Sequence, residues 1–149
     1  MVDSIRQRII SAMDTRFKTI LTTGGYVTNI GQHVFWWKSS PLQLSDLPGM
    51  NCKDRTSEKA PGCGIYENSL PVEIEASVSG SASPEDIRKI LADFEKCVGV
   101  DETWGGLALA TDIDGDDISV EQNENKIGLA RVMMTIEYRT ARFDAYTQA

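Results

Sequence analysis

Leu70-Pro71-Val72-Glu73-Ile74-Glu75-Ala76-Ser77-Val78-Ser79, followed by Ser83-Pro84-Glu85-Asp86-Ile87-Arg88-Lys89-Ile90-Leu91-Ala92-Asp93-Phe94-Glu95-Lys96-Cys97-Val98-Gly99, is the stretch that decides the fold. In its first half the apolar residues Leu70, Val72, Ile74, Ala76 and Val78 alternate with polar ones, which predicts a strand with one buried face. In its second half Ile87, Ile90, Leu91, Phe94 and Val98 recur at three- and four-residue steps, which predicts a helix with one apolar face. Ser83 is expected to cap that helix, Pro84 suits its first turn, and Glu85 and Asp86 sit at the positive end of its dipole. Gly99 stands where helices commonly stop. The polar faces carry only ordinary charges, so the pair reads as a scaffold whose function lies in its surfaces.

Working outward, Ser4 and Gln7 have the spacing of a capping box, and Ile5, Ile9, Met13, Phe17 and Ile20 form one stripe. This predicts a helix over Ser4–Leu21, with Gly24-Gly25 beyond its end. Val27–Trp37 reads as extended, with a bulge or turn at Gly31. From Ser39 to Asn68 regularity falls, with Pro41, Pro48-Gly49 and Pro61-Gly62 as breakers. A short strand is expected around Met50–Lys53, then an irregular, mobile insertion around 53–68. Leu107–Ile113 alternates again, Asp114-Gly115 predicts a hairpin turn into Ile118–Glu121, and Asn123–Asn125 predicts another turn. In the last strand Ala130, Val132, Met134, Ile136 and Tyr138 share one face. Its other face, including Ile127, Leu129, Arg131, Met133, Glu137 and Arg139, is half apolar, as surfaces that meet partners often are. The expected fold class is α+β: a single domain over 1–149 with a mostly antiparallel (mixed) sheet. Leu70–Ser79, Leu107–Ile113 and Lys126–Arg139 form that sheet, and Ser4–Leu21 and Pro84–Val98 cover one face.

A chain of 149 residues supports one domain with its own core. Its 41% hydrophobic and 25% charged residues match ordinary soluble globular proteins. No apolar run has the length of a membrane span, and Arg6, Arg8 and Asp14 interrupt any signal-peptide core. Cys52, Cys63 and Cys97 lack a disulfide framework's spacing and suit reduced thiols. A net charge of −7 argues against direct binding to nucleic acid. The charge is unevenly spread. Arg6, Arg8, Arg16 and Lys18 make the first helix basic. Asp101, Glu102, Asp112, Asp114, Asp116, Asp117, Glu121 and Glu124 lie in a run without lysine or arginine. That run reads either as a solvated loop and hairpin or as an acidic patch facing a basic one on a neighbouring subunit.

No residue pattern supplies catalytic equipment. His33 stands among Val34, Phe35, Trp36 and Trp37 without a local nucleophile or orienting group. Cys52, Cys63, Cys97 and His33 would exhaust the soft ligands of a zinc site, yet none shows C-x-x-C spacing. Counted from Asp112, the sixth and twelfth positions hold Asp117 and Asn123 where a calcium loop needs glycine and glutamate. The acids there read as solvated, or as bridging Mg²⁺ or Ca²⁺ at an interface. Trp36, Trp37 and Trp104 read as core or loop anchors. Gly24-Gly25 and Gly105-Gly106 lack the lysine and hydroxyl of a phosphate loop. No cofactor, metal or catalytic residue is assigned.

Asp46-Leu47-Pro48-Gly49-Met50, Leu70–Ala76, the helix Ser83–Val98 and the closing strand Leu129–Arg139 together give the chain its family likeness. In this order of elements it resembles the tail terminator proteins of long-tailed bacteriophages and prophages. The resemblance implies a homo-hexameric ring that caps the tail tube protein, ends tube polymerisation and presents a surface to the head-completion or connector protein. It implies assembly in the bacterial host cytoplasm and residence in the virion tail. On that reading Arg6, Arg8, Asp112, Asp114, Asp116, Asp117, Arg131, Met133, Glu137 and Arg139 are the candidate oligomer and tube interface. The insertion at Lys53–Asn68 and the acidic turn carry no residue role over from the family. The alternatives are a head–tail connector or head-completion ring, and a small cytoplasmic enzyme or ligand-binding domain with a site between subunits.

Overall fold

The apolar stripe of the first helix and that of the second meet on one face of a single sheet. The computed structural model describes residues 2–81, 83–122 and 125–149. Helix α1 spans Ile5–Phe17, and Ser4 Oγ accepts the Gln7 N–H at 3.1 Å, half of the expected capping box. Strands β1 (Val34–Trp36), β2 (Gly49–Asp54), β3 (Glu58–Pro61) and β4 (Ile65–Ser79) follow, then helix α2 (Ser83–Gly99). Strands β5 (Ala110–Gln122), β6 (Lys126–Ala141) and β7 (Asp144–Gln148) complete the chain. The seven-stranded sheet runs β1-β2-β4-β6-β5, with β3 on β4 and β7 on β6. Only β1–β2 is parallel.

The spine is the antiparallel β4–β6 ladder, which pairs Ile65 with Ala141 at one end and Ser79 with Ile127 at the other. Its register sets Cys52, Ile74 and Val132 side by side, and Leu70 beside Ile136. Even-numbered side chains of both strands therefore point the same way. They form one core with Ile5, Ile9, Met13, Phe17 and Ile20 of the first stripe and Ile87, Ile90, Phe94 and Val98 of the second. Each such aliphatic side chain contributes about 1.5–3 kcal/mol by leaving water. Trp104, 1% exposed, closes the core against Phe17. The expected α+β class and the two-helix cover on one face are both present.

Several local expectations change. Asp114-Gly115 is a β-bulge inside β5: Ile113 pairs with Met134 and Gly115 with Met133, leaving Asp114 extra. The cause is phase. Thr111 and Ile113 lie on one face, Asp116, Ile118 and Val120 resume it one residue late, and a single bulged residue corrects the slip. Strand β5 starts at Ala110 rather than Leu107, because 102–107 is taken up by turns, and it runs on through the bulge to Gln122. The turn expected at Asn123–Asn125 lies partly outside the described residues, as does Glu124 of the acidic run. Val27–Trp37 is extended only at β1, because Gly31 N–H bonds Ile20 O at 2.9 Å, and Val27 and Thr28 donate to Asp93. A Cβ on Gly31 would fall 2.3 Å from Phe17 O, so close approach rather than a bulge explains this glycine.

The stretch 53–68, expected to be irregular, holds β3 and the start of β4, which pair as a hairpin. Arg55 N–H continues the ladder to Pro71 O at 2.8 Å, and Gly62 N–H closes the hairpin turn on Ile65 O at 2.9 Å. Ser83 is buried within α2, and its hydroxyl donates to Gly80 O instead of accepting at the helix start. Opposite the helices, the 38–47 segment crosses the sheet's other face: Asn51 accepts from Lys38 N–H and donates to Lys38 O at 3.0 and 3.1 Å.

Candidate functional site

The acidic segment becomes the border of the sheet. Asp112, Asp114, Asp116, Asp117 and Glu121 are all exposed along β5, which pairs with β6 alone. Strand alternation sends Asp112, Asp117 and Glu121 to the open face, opposite Thr135, Arg131 and Ile127, and Asp116 to the helix side opposite Val132. The bulged Asp114 accepts the Thr135 hydroxyl at 2.6 Å. Spread this way the carboxylates do not converge: among the described residues no group of three histidine, cysteine or acidic side chains could hold a metal ion. Among the described residues, the divalent-cation bridge thus has no chelating group of three within one chain.

Beside this border lies the open face of β4 and β6. Arg131 bonds Glu73 at 2.8 Å and Glu75 at 3.2 Å, Arg139 bonds Glu67 at 3.1 Å, and Glu137 accepts from Ser69 Oγ at 2.7 and 2.8 Å. The Arg131–Glu75 and Arg139–Glu67 pairs are exposed and each is worth roughly 0–1 kcal/mol, so they orient side chains more than they stabilise the fold. Glu73, by contrast, has a largely buried side chain and is held by both Arg131 and Arg55. Arg131, Glu137 and Arg139 therefore present a charge-balanced surface, with Met133 half exposed among them. A shallow groove of about 230 Å³ runs between Glu75, Arg131, Leu129 and Ile118.

The basic first helix does not form a free cationic surface. Arg6 is held by Asp54 at 2.7 Å and by Arg55 O at 2.9 Å. Arg16 lies 4.2 Å over the Trp104 ring and bonds Asp101 O at 2.5 Å, while Lys18 pairs with Asp14 at 2.9 Å. Only Arg8 is exposed on that helix without an ion pair among the described residues. Asp101, expected in the acidic patch, is a loop brace. The Thr103 hydroxyl, the Gly105 N–H and the Thr103 N–H all donate to it and lower its pKa to about 2.

Unpaired cations stand instead at the opposite border. Lys38, Lys53 and Lys59 have no ion-pair partner among the described residues, and Lys38 lies 4.7 Å over the Phe35 ring. Between them Trp37, with a left-handed φ of 55°, exposes 53% of its surface. Its indole N–H donates to Asp54 at 2.7 Å. Burial alone would raise the Asp54 pKa, but bonds from Trp37 and Arg6 outweigh it and leave the carboxyl below its usual range. Trp36, Trp37, Arg6, Asp14 and Asp54 line a groove of about 530 Å³ between α1 and the sheet.

No protein-family model and no curated protein matches the chain.

The residues considered for soft-metal chemistry are dispersed. Cys52 is buried in β2, where burial pushes its thiol well up. Cys97 is buried in α2 and Cys63 is exposed in the β3–β4 turn. His33 contacts Pro48 O at 3.3 Å and stacks on Phe35. Sequence reasoning missed the Trp37–Asp54–Arg6 cluster, because its members lie far apart in the chain and only the β1–β2 pairing and the packing of α1 on the sheet join them. It also missed Asp93, whose place one step off the apolar stripe of α2 was the available signal. No helix among the described residues is long and apolar enough to cross a membrane.

Proposed function

We propose that this protein is a ring-forming structural subunit of the tail terminator type. The ring caps the end of a phage or prophage tail tube and offers its outer surface to the head-completion protein. The observation that carries this reading is the order and pairing of elements. A Leu47-Pro48 turn leads into short β2, long β4 is followed by α2, and β5–β6 closes one sheet. That is the order on which the family resemblance rests. It is supported by unlike open borders, acidic at β5 and cationic around β1, since unlike surfaces on one subunit generate closed rings when the rotation permits. The reading involves no covalent chemistry. Six copies would bind the tube end through repeated weak contacts and gain strength from multivalency. Assembly would take place in the bacterial cytoplasm, and the finished ring would remain in the tail.

Tube subunits add to an end that always presents the same surface, so growth stops only when that surface is occupied. Deleting the gene from its phage or prophage should give overlong tails and unattached full heads in electron micrographs. A head-completion ring, the second reading from the same class, predicts tails of normal length. Normal-length tails in the deletion lysate would overturn the terminator reading.

A further inference from the structure

The two borders of the sheet are open and opposite in character. Strand β5 is 13 residues long and has no strand on its outer edge among the described residues. Such an edge is a template for another strand, and proteins usually blunt it by shortness, proline or charge. Here length is ample and no proline interrupts it, the bulge at Asp114 leaves regular pairing to the stretches on either side, and the charge is of one sign. Like charges directly opposite one another destabilise a strand pair, so this edge rejects a second β5 and favours a strand flanked by cations. Ile118 and Val120, 43% and 40% exposed, add apolar surface beside it.

The other border fits that description. His33 O accepts from Met50 N–H and Trp37 N–H donates to Cys52 O, so alternation turns the backbone groups of Val34 and Trp36 away from β2. Lys38 and Lys53 flank this edge. Trp37 projects beside it, oriented by its bond to Asp54, and orientated aromatic side chains carry a large share of interface energy.

We propose that copies of this chain join head to tail by strand pairing, the β5 edge of one copy docking on the β1 border of the next. Asp112 and Glu121, on the open face, then lie on the same side of the sheet as Lys53, with Lys38 beside it, and Trp37 supplies the apolar anchor. The proposal deepens the ring reading and rests on it for closure. Each joined pair leaves one acidic and one cationic border free, so addition continues until the ring shuts.

The test is a charge exchange followed by sedimentation velocity. Asp112→Lys/Glu121→Lys reverses the open-face side of one border at residues that lie opposite Thr135 and Ile127 in their own chain, so no internal ion pair is lost. Lys38→Glu/Lys53→Glu reverses the other, and Glu73, opposite Lys53, keeps Arg55 and Arg131. Each variant alone should dissociate on the order of tenfold more readily, or worse, because like charges now meet. An equimolar mixture should assemble again, since each altered border now complements the partner's. Hydrogen exchange on the unaltered protein needs no variant: β5 and β1 amides should gain protection as concentration rises. Variants that assemble normally alone, a mixture that stays dissociated, or amides indifferent to concentration would each overturn edge pairing. Tail length in the deletion lysate judges the capping reading separately. Overlong tails with indifferent β5 amides would leave the cap standing and remove only this interface.

Discussion

Asp93 is 4% exposed on α2, and its carboxylate accepts the Thr28 N–H and the Thr28 hydroxyl, each at 2.7 Å. It also accepts the Val27 N–H at 3.1 and 3.2 Å. These bonds tie the connection between α1 and β1 to the second helix, directly ahead of the fully buried Ile30. Hydrogen bonds to a charged group contribute about 1.5–3 kcal/mol each. The two to Thr28 dominate, because Val27 is 66% exposed and its N–H regains water when the carboxylate is lost. Removing the carboxylate also relieves its own desolvation cost, so Asp93→Ala should destabilise by about 2–3 kcal/mol rather than the full sum. Asp93→Asn keeps one accepting oxygen without the charge and should cost about 1 kcal/mol. At this chain length a kilocalorie moves the melting temperature by about 2–4 °C, so the alanine variant should melt about 5–10 °C lower. Urea denaturation gives the free energies directly, and an unchanged slope would show that the unfolded state is unaffected. An alanine variant within about 0.5 kcal/mol of the parent, or an asparagine variant worse than alanine, would refute the reasoning.

Two further outcomes follow from local geometry. A Cβ on Gly128 would lie 2.7 Å from Ile87 Cγ1 and 3.0 Å from Ser83 O, so Gly128→Ala should push α2 off β6. The cost should be about 1–3 kcal/mol by chemical denaturation, and an unchanged midpoint would show that the helix yields freely. Asp101 has its folded pKa lowered from 3.8 to about 2, so its contribution is complete above about pH 4 and is lost as pH falls through 2. The gap in melting temperature between the parent and Asp101→Asn should therefore be constant from pH 7 to 5 and narrow between pH 4 and 2. A gap that widens on acidification would contradict the assigned bonding.

Much of the fold could be read from spacing alone. The stripe Ile5, Ile9, Met13, Phe17 and Ile20 is wholly buried, and so are Leu70, Val72, Ile74 and Ala76 and every second residue from Ala130 to Tyr138. Periodicity succeeds there because a helix turn and a strand pleat are set by the backbone, so the buried face repeats at a fixed step whatever lies above it. It failed at Asp114-Gly115, where the local preference for a turn yielded to a ladder with β6 that continues past it. It also missed the β3–β4 hairpin, whose short exposed strand carries almost no alternation.

The interface candidates divide along the same line. The one-signed charge of the acidic run is a property of composition and needed no structure. Whether a given charge is free is a matter of through-space partners. Arg6 and Asp54 are 48 positions apart, and Arg131 and Glu75 are 56. Only the β2–β4–β6 pairing and the packing of α1 on the sheet bring these groups within reach, satisfying the arginines inside the chain. The same pairing order leaves β5 and β1 as open borders, a fact no segment encodes by itself. The two helices, the central strands and their buried faces were therefore determined by the sequence through short-range geometry. Which surfaces stayed unpaired was decided by the tertiary structure, because pairing depends on distances between residues that the chain holds far apart.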